Sequence, residues 1–465
     1  MVFPTIEFAV FFVPVLALSW ALMPRPWVWK PFILAASYVF YAAANPRFCL
    51  LLAGVTLGNQ AGAVLIERSS SERRKSVICG IVVALDLLVL GVFKYYGFFA
   101  QDVDDLLSKA GLGLGLPLTA IALPVGLSFF TFQAISYTVD VRRGLCARGA
   151  TIDVALYLSF FPHLVAGPIV RAREFLPQLA SPRDPQDVAL GSGVFLICLG
   201  LVKKVVLADL IARKLVDPVY AVPESYGAAD TLLALYGYAA QIYCDFSGYT
   251  DIAIGLALLM GFVFPRNFDR PYSAQSFSEF WRRWHMTLSR YLRDFLYIPL
   301  GGNRGGGWRT IRNLMITMVL GGLWHGAAWG FVLWGTAHGA ALAVERLLRG
   351  RVSAPPRWLR WVLVFHGVVF AWVLFRAPDL GTAGAVLARL GHWTMPATLF
   401  APAVVLAVVL AIGLQLLPER PIVALRHRLE ALDPPALAAG LVVTIVIVGA
   451  TVPGGAVPPF IYFQF

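Results

Sequence analysis

The chain has 465 residues, of which 58% are apolar and only 14% are charged, and its mean hydropathy is +0.72. A soluble protein of this length would contain about three domains with about 25% charged residues, so this composition excludes a purely soluble protein. The net charge of +12 is explained by basic cytoplasmic loops more simply than by nucleic-acid binding.

Apolar stretches separated by short polar linkers predict an all-α protein, a polytopic bundle with about 10–12 membrane spans plus re-entrant and amphipathic interfacial helices. We expect one domain over residues 1–465, with its core motif region at 166–345. The stretches are Phe3–Met23, Trp27–Ala44, Phe48–Ile66, Val77–Phe99, Pro117–Val139, Val154–Ile169, Val188–Leu210, Thr231–Phe264, Leu314–Val344, Arg360–Phe375, Phe400–Leu417 and Leu437–Val452.

One of these stretches, Val154–Ile169, is short and is interrupted by Pro162, Gly167 and Pro168. Basic residues on both sides of it indicate that both ends are cytoplasmic, so we expect it to enter the membrane and return. An acidic segment at 102–105 is expected to be a loop on the opposite side of the membrane.

The segment Arg266–Arg312 contains nine basic and three acidic residues. Aromatic and leucine side chains recur within it at spacings of three and four from Phe277 to Phe295, which predicts an amphipathic helix at the cytoplasmic face. A glycine-rich loop follows at Leu300–Gly307 and is either a plain linker or a cradle for phosphate groups.

His325 is a candidate for chemistry because an ionisable group within a membrane span is costly. Glycines leave room beside it, and Trp324 supplies a rigid wall. The alternative is a histidine that only packs helices together. His285 follows a Trp-Arg-Arg-Trp run on the amphipathic helix and could instead be an interfacial histidine on a wet face. His338 and His163 are weaker candidates.

Asp245, Tyr249 and Asp251 lie within the apolar stretch Thr231–Phe264. Two carboxylates and a tyrosine at membrane depth predict a polar interior that could orient a histidine or bind a substrate hydroxyl. A satisfied polar network between helices is the competing interpretation.

The sequence contains neither HExxH nor GxSxG, and we expect no bound metal or cofactor. A buried histidine without a nucleophile motif suits proton abstraction from a hydroxyl. Acyl transfer from a thioester to an alcohol requires little more than such a base, proximity and dry walls.

Several motifs of the chain stand out together. They are Phe280-Trp-Arg-Arg-Trp-His-Met-Thr-Leu-Ser289, Arg293-Asp-Phe-Leu-Tyr-Ile-Pro-Leu-Gly-Gly-Asn-Arg304, Arg312-Asn-Leu, Leu320-Gly-Gly-Leu-Trp-His-Gly-Ala-Ala-Trp329, Tyr243-Cys-Asp-Phe-Ser-Gly-Tyr-Thr-Asp251, Ala166-Gly-Pro-Ile-Val-Arg171 and Phe460–Phe465. With these motifs the chain resembles the membrane-bound O-acyltransferase family, most of all its bacterial alginate O-acetyltransferase branch.

The resemblance implies that His325 and His285 are catalytic and that Asn313, in the Arg-Asn-Leu motif, helps to bind substrate. It also implies a funnel-shaped bundle in a bacterial inner membrane, where donor and acceptor approach from opposite faces. We expect acetyl-CoA as the donor, with Arg282 and Arg283 near its phosphates.

The expected acceptor is an exported polysaccharide such as alginate, reached directly or through a periplasmic partner acyltransferase. D-alanyl transfer to teichoic acid and O-acetylation of peptidoglycan or cellulose are the alternatives. A transporter is favoured less, because it would be expected to carry inverted repeats, and we find none in the sequence.

Overall fold

The computed structural model describes residues 3–109, 122–351, 353–451 and 460. Those residues form helices and no strands, which confirms the all-α prediction. They divide into two compact units, Met1–Ala189 with Leu256–Phe264, and Leu190–Gly255 with Pro265–Phe465. The expectation of a single domain stays a prediction.

The first unit begins with four long helices and continues with shorter ones. The helices are α1 (Ile6–Leu22), α2 (Pro26–Ala42), α3 (Phe48–Arg68), α4 (Glu72–Lys109), α5 (Leu127–Arg142), α6 (Thr151–Ser159), α7 (Phe161–Leu164) and α8 (Ala172–Phe175), followed by 3₁₀ turns at Leu176–Leu179 and Pro185–Asp187. The acidic segment at 102–105 lies within α4, so the predicted loop was wrong. The stretch Val154–Ile169 is broken between α6 and α7, as its prolines predicted.

The second unit holds the remaining helices, except that the last four residues of α12, 256–259, belong to the first unit. They are α9 (Leu190–Leu201), α10 (Asp209–Ile211), α11 (Asp217–Ala221), α12 (Ala228–Leu259), α13 (Phe277–Arg283), α14 (Met286–Leu292), α15 (Gly307–His325), α16 (Trp329–Leu348), α17 (Arg357–Arg376), α18 (Leu380–Arg389), α19 (Pro402–Gly413), α20 (Glu419–Glu430) and α21 (Pro434–Thr451). Wide π-helical turns occur at Val202–Ala208, Ala212–Val216 and Arg293–Tyr297, and 3₁₀ turns at Pro223–Ser225, Pro271–Ser273 and Leu414–Leu416.

Among the described residues, five helical segments are long and apolar enough to cross a membrane: Phe48–Arg68, Glu72–Ala100, Ala228–Leu259, Arg357–Arg376 and Pro434–Thr451. Two shorter apolar helices, Ile6–Leu22 and Pro402–Leu416, add to them. Of the remaining predicted spans, Trp27–Ala44 corresponds to the continuous helix α2, and Pro117–Val139 lies within the described residues only from 122 onward, where it contains the start of α5. Val154–Ile169 and Leu314–Val344 are divided, Val188–Leu210 contains a π-helical turn, and the number of spans stays a prediction. Of the C-terminal motif Phe460–Phe465, only Phe460 lies within the described residues.

The predicted span Leu314–Val344 is in fact two helices. Helix α15 ends at His325, Gly326 is extended, and α16 begins at Trp329. The helices pack tightly because glycines stand where they meet: a Cβ on Gly322 would overlap the carbonyl oxygen of Phe331. The sequence pattern concealed this reversal because residues 314–324 and 327–337, on either side of it, contain no charged side chain.

The predicted amphipathic helix is also divided. Ser276 caps α13 by accepting a hydrogen bond from the Glu279 amide, and the helix ends at Arg283. His285 then adopts a left-handed backbone conformation (φ 41°, ψ 55°), and α14 starts at the next residue. A left-handed conformation costs a non-glycine residue about 1–2 kcal/mol, so local contacts must hold this turn.

The tight hairpin of α15 and α16 predicts that Gly322→Ala destabilises the protein. The added methyl group must push the backbone of Phe331 away, which costs about 1–3 kcal/mol. The melting temperature of the detergent-solubilised protein measures this effect. Gly307→Ala on the same helix is the control, because a Cβ there meets nothing within 4 Å. Equal melting temperatures for the two variants would contradict the packing.

Candidate functional site

His325 lies at the C-terminal end of α15, where only 4% of its surface is exposed. Aromatic side chains surround its imidazole: the ring centroid is 5.0 Å from that of Trp324, 5.1 Å from Trp334 and 5.2 Å from Phe375. These rings exclude water and leave few ways for the imidazole to turn. The site therefore combines an ionisable group with the dry walls that the sequence predicted.

His285 is fully buried between α13 and α14, so the alternative of an interfacial histidine on a wet face is wrong. Phe246 packs edge-on against its imidazole at 4.7 Å, and Phe268 lies nearly parallel at 6.5 Å. Burial lowers the pKa of His285 to about 3, because the charged form loses its hydration. The side chain is consequently neutral at any physiological pH.

Trp324 connects the two histidines. Its ring lies 5.0 Å from that of His325 and 6.1 Å from that of His285, and its own exposure is 4%. Two residues separated by 40 positions in the sequence are thus brought against the same indole. All three side chains belong to the second unit.

Asp245 and Asp251 both lie on α12 and both face lysines from the π-helical turn Val202–Ala208. The Lys204 ammonium is 2.6 Å from Asp245 and 2.9 Å from Asp209, and all three side chains are almost completely buried. Lys203 lies 2.7 Å from Asp251. These ion pairs favour the competing interpretation of a polar network between helices, and substrate binding by Asp245 and Asp251 stays a prediction.

Lys203 and Lys204 were missed as members of this site. The signal was present, because two adjacent lysines interrupt the apolar stretch Val188–Leu210 and charges at membrane depth require partners. Which carboxylates they pair with could not be read from the sequence, since Asp245 and Asp251 are more than 40 positions away.

Tyr249 is buried and lies on α12, as Asp245 and Asp251 do. Its ring stacks on Phe460 at 4.6 Å, and Phe460 in turn contacts Phe246 at 5.6 Å. Since Phe246 packs against His285, Tyr249 is connected to the surroundings of that histidine through Phe460 and Phe246.

The two predicted donor-binding arginines differ in their surroundings. Arg282 is exposed and donates a hydrogen bond to Ser278. Arg283 is engaged within the protein: its guanidinium donates to Glu279 at 2.8 and 3.0 Å and to the Asp269 carbonyl at 3.2 Å. Arg282 is therefore better placed to meet a ligand from solvent.

Asn313 is fully buried near the start of α15, and its amide donates to the carbonyl of Gly302 at 3.0 Å. Gly301 and Gly302 have φ values of 108° and 55°, which favour glycine. The amide thus anchors the glycine-rich loop, and the predicted substrate binding by Asn313 stays a prediction.

The two weaker histidine candidates pack inside the protein. His338 accepts a hydrogen bond from the Trp281 indole at 3.3 Å and lies 4.9 Å from the ring of Trp334. His163, in the first unit, bonds the Tyr157 carbonyl at 2.8 Å. Across the part of the chain that the structure describes, no three histidine, cysteine or acidic side chains cluster closely enough to hold a metal.

Comparison with known proteins identifies the family of this chain. Residues 118–381, more than half of the chain, match the model of the membrane-bound O-acyltransferase family. The chain is 46% identical to the probable alginate O-acetylase AlgI of Pseudomonas aeruginosa over 360 residues, which cover 76% of this chain and 67% of that protein.

Two further relatives extend the comparison. The probable alginate O-acetylase AlgI of Azotobacter vinelandii is 42% identical over 407 residues, covering 85% of this chain and 79% of that protein. The peptidoglycan O-acetyltransferase of Helicobacter pylori is 36% identical over 401 residues, covering 79% and 73%. The similarity thus extends over most of each protein.

The pairing of Lys204 predicts that Lys204→Met destabilises the protein strongly. Removing the ammonium leaves Asp209 and Asp245 buried without their counter-ion, which costs about 3–5 kcal/mol. Yield and melting temperature of the detergent-solubilised protein measure the loss. Lys75→Met is the control, because the Lys75–Glu72 pair is solvent-exposed and is worth at most about 1 kcal/mol. A Lys204→Met protein as stable as the control would disprove the pairing.

Proposed function

Because the chain belongs to the membrane-bound O-acyltransferase family, we propose that it acetylates an exported polysaccharide such as alginate. The protein is a multi-pass membrane O-acyltransferase. In this proposal it lies in a bacterial inner membrane, takes the acetyl group from cytoplasmic acetyl-CoA, and passes it to the polysaccharide directly or through a periplasmic acyltransferase partner.

The observation that supports the proposal most is the burial of His325 and His285 against one indole. Two imidazoles in a dry aromatic enclosure can accept and donate protons without a metal or a covalent nucleophile. The enclosure also keeps water from competing with the acceptor for the acyl group.

In the proposed reaction, His325 accepts the proton of the acceptor hydroxyl as the oxygen attacks the thioester carbonyl. The carbon–sulfur bond then breaks, and the imidazolium returns the proton to the departing thiolate. One ester and one thiol are formed from one alcohol and one thioester. His285, which is neutral, positions the reacting groups beside Trp324.

The donor's phosphates would be attracted by the arginines of the segment Arg266–Arg312. Exposed members of this segment are Arg266, Arg282, Arg293, Arg304, Arg309 and Arg312. Half of the net charge of +12 lies here, nine basic minus three acidic residues. Such a patch raises the local concentration of a polyanionic ligand such as CoA.

Replacing His325 by alanine is expected to lower the rate of acetyl transfer about 10²–10⁴-fold, the usual contribution of a positioned general base. Membrane vesicles carrying the protein are supplied with radiolabelled acetyl-CoA, and ester formed on alginate oligosaccharides is counted. His392→Ala is the matched control, because His392 is an exposed histidine of the same unit. Wild-type transfer by a stably folded His325→Ala protein would refute the proposal.

The same assay with other acceptors or donors distinguishes the alternatives. Acetyl label found on peptidoglycan or cellulose instead of alginate would mean that the acceptor is a different polymer and that the protein is still an O-acetyltransferase. Transfer seen only when a D-alanyl carrier protein is supplied would mean that the donor differs as well. A flux of solute without any acylated product would indicate a transporter.

Arg282→Ala is expected to raise the KM for acetyl-CoA about fivefold and leave kcat unchanged, because an exposed charge–phosphate contact is worth about 1 kcal/mol. Initial rates at varied acetyl-CoA and two salt concentrations test this, and the difference should shrink at high salt. Arg357→Ala, an exposed arginine outside the segment, is the control. Equal KM values for both variants would place the donor elsewhere.

A further inference from the structure

Asn267 is a residue that neither the motifs nor the proposed mechanism uses, yet it contacts His285 directly. It is 1% exposed, and its side-chain oxygen Oδ1 lies 3.1 Å from Nδ1 of His285. The same oxygen accepts hydrogen bonds from the Thr287 amide at 3.1 Å and the Thr287 hydroxyl at 2.8 Å. The Asn267 backbone carbonyl accepts from the Met286 amide at 2.8 Å.

These bonds determine which way round the Asn267 side chain lies. A backbone N–H can only donate, so the atom facing the Thr287 amide must be the amide oxygen and not the nitrogen. The oxygen carries no hydrogen, so the proton in its bond with His285 must belong to Nδ1 of the imidazole. His285 is therefore protonated on Nδ1.

The other ring nitrogen follows from the first. His285 is neutral, because burial lowers its pKa to about 3, and a neutral imidazole carries one proton. Nε2 is consequently a bare acceptor. It is buried and has no hydrogen-bond partner among the residues that the structure describes, and a buried acceptor left without a donor is destabilising.

A bare Nε2 restricts what His285 can bind. It cannot donate a hydrogen bond to a thioester carbonyl or to the oxyanion that forms from it, since it has no hydrogen to offer. It can accept a hydrogen bond from a hydroxyl group. Of the two substrates in the proposed reaction, the polyhydroxylated acceptor supplies such groups beside the reacting centre.

We propose that Asn267 is a positioning residue that holds His285 in the Nδ1-protonated tautomer, so that Nε2 accepts a hydrogen bond from an acceptor hydroxyl. Asn267 also stabilises the left-handed turn at His285, because its oxygens satisfy the first two amides of α14. The identity of the hydroxyl donor rests on the proposed acyl transfer, whereas the tautomer follows from the hydrogen bonds of Asn267 and the burial of His285.

The tautomer can be measured without any activity. In protein labelled with ¹⁵N-histidine and reconstituted in lipid, nitrogen chemical shifts distinguish a protonated from a bare ring nitrogen, and His285→Gln identifies the signals by their loss. We expect a protonated Nδ1 and a bare Nε2 in the wild-type protein. Thr287→Val should keep this pattern, because it removes a competing donor and leaves the His285 bond. A proton on Nε2 would overturn the inference.

A second test uses the pH dependence of kcat/KM for acyl transfer. Asn267→Asp keeps an acceptor oxygen but adds a negative charge beside Nδ1, which raises the pKa of His285 and protonates Nε2 as pH falls. The loss of activity that comes from protonating His285 should therefore occur about one to three pH units higher than in the wild-type protein. A residue with a purely structural role would lower the rate and leave the profile in place, and that result would overturn the inference.

The two tests separate this inference from the proposed function. If wild-type membranes transfer no acetyl group, the proposed function fails, and the nitrogen shifts still decide the tautomer. If transfer is observed but Nε2 is protonated, the function stands and the role of Asn267 is wrong.

Discussion

The ion pairs of Lys204 with Asp209 and Asp245 are the constraint on which the site depends. A charge in a membrane interior is tolerated only with partners, and here the partners lie on two different elements. The lysine thereby ties the π-helical turn to the central helix α12 at Asp245. The next residue, Phe246, packs its ring against His285, so the pairing that satisfies the buried charges also positions one wall of the site.

Glycine and aromatic residues shape the surroundings of His325 in two different ways. Gly322 permits α15 and α16 to approach until their backbones touch, and Gly326 permits the chain to reverse directly after His325. Trp324, Trp334 and Phe375 then fill the space around the imidazole. Small residues bring the helices together, and large rings exclude the solvent that such close helices would otherwise admit. The enclosure around His325 therefore depends on the close contact between the backbones of α15 and α16 as well as on the size of the aromatic side chains.

Much of this arrangement could be predicted from the sequence, and the exceptions have physical causes. Apolar stretches predicted helices, and the motifs around His285 and His325 identified both histidines. The break at Gly326 was missed because no charged residue or proline marks it, and residues 314–324 and 327–337 on either side are uncharged. The left-handed turn at His285 was missed because the aromatic spacing continues across it. The partners of Asp245 and Asp251 were missed because pairing between distant segments is decided by tertiary packing.

The left-handed backbone at His285 also means that protein stability and acyl transfer favour different residues at this position. Glycine or asparagine would adopt that conformation at lower cost than histidine, so stability alone would favour glycine or asparagine in place of His285. A library of variants enriched only for thermal stability should therefore drift away from histidine at this position. One enriched for acyl transfer should retain it. His285 therefore lowers the stability of this turn, and the protein keeps it at the position where its imidazole is needed.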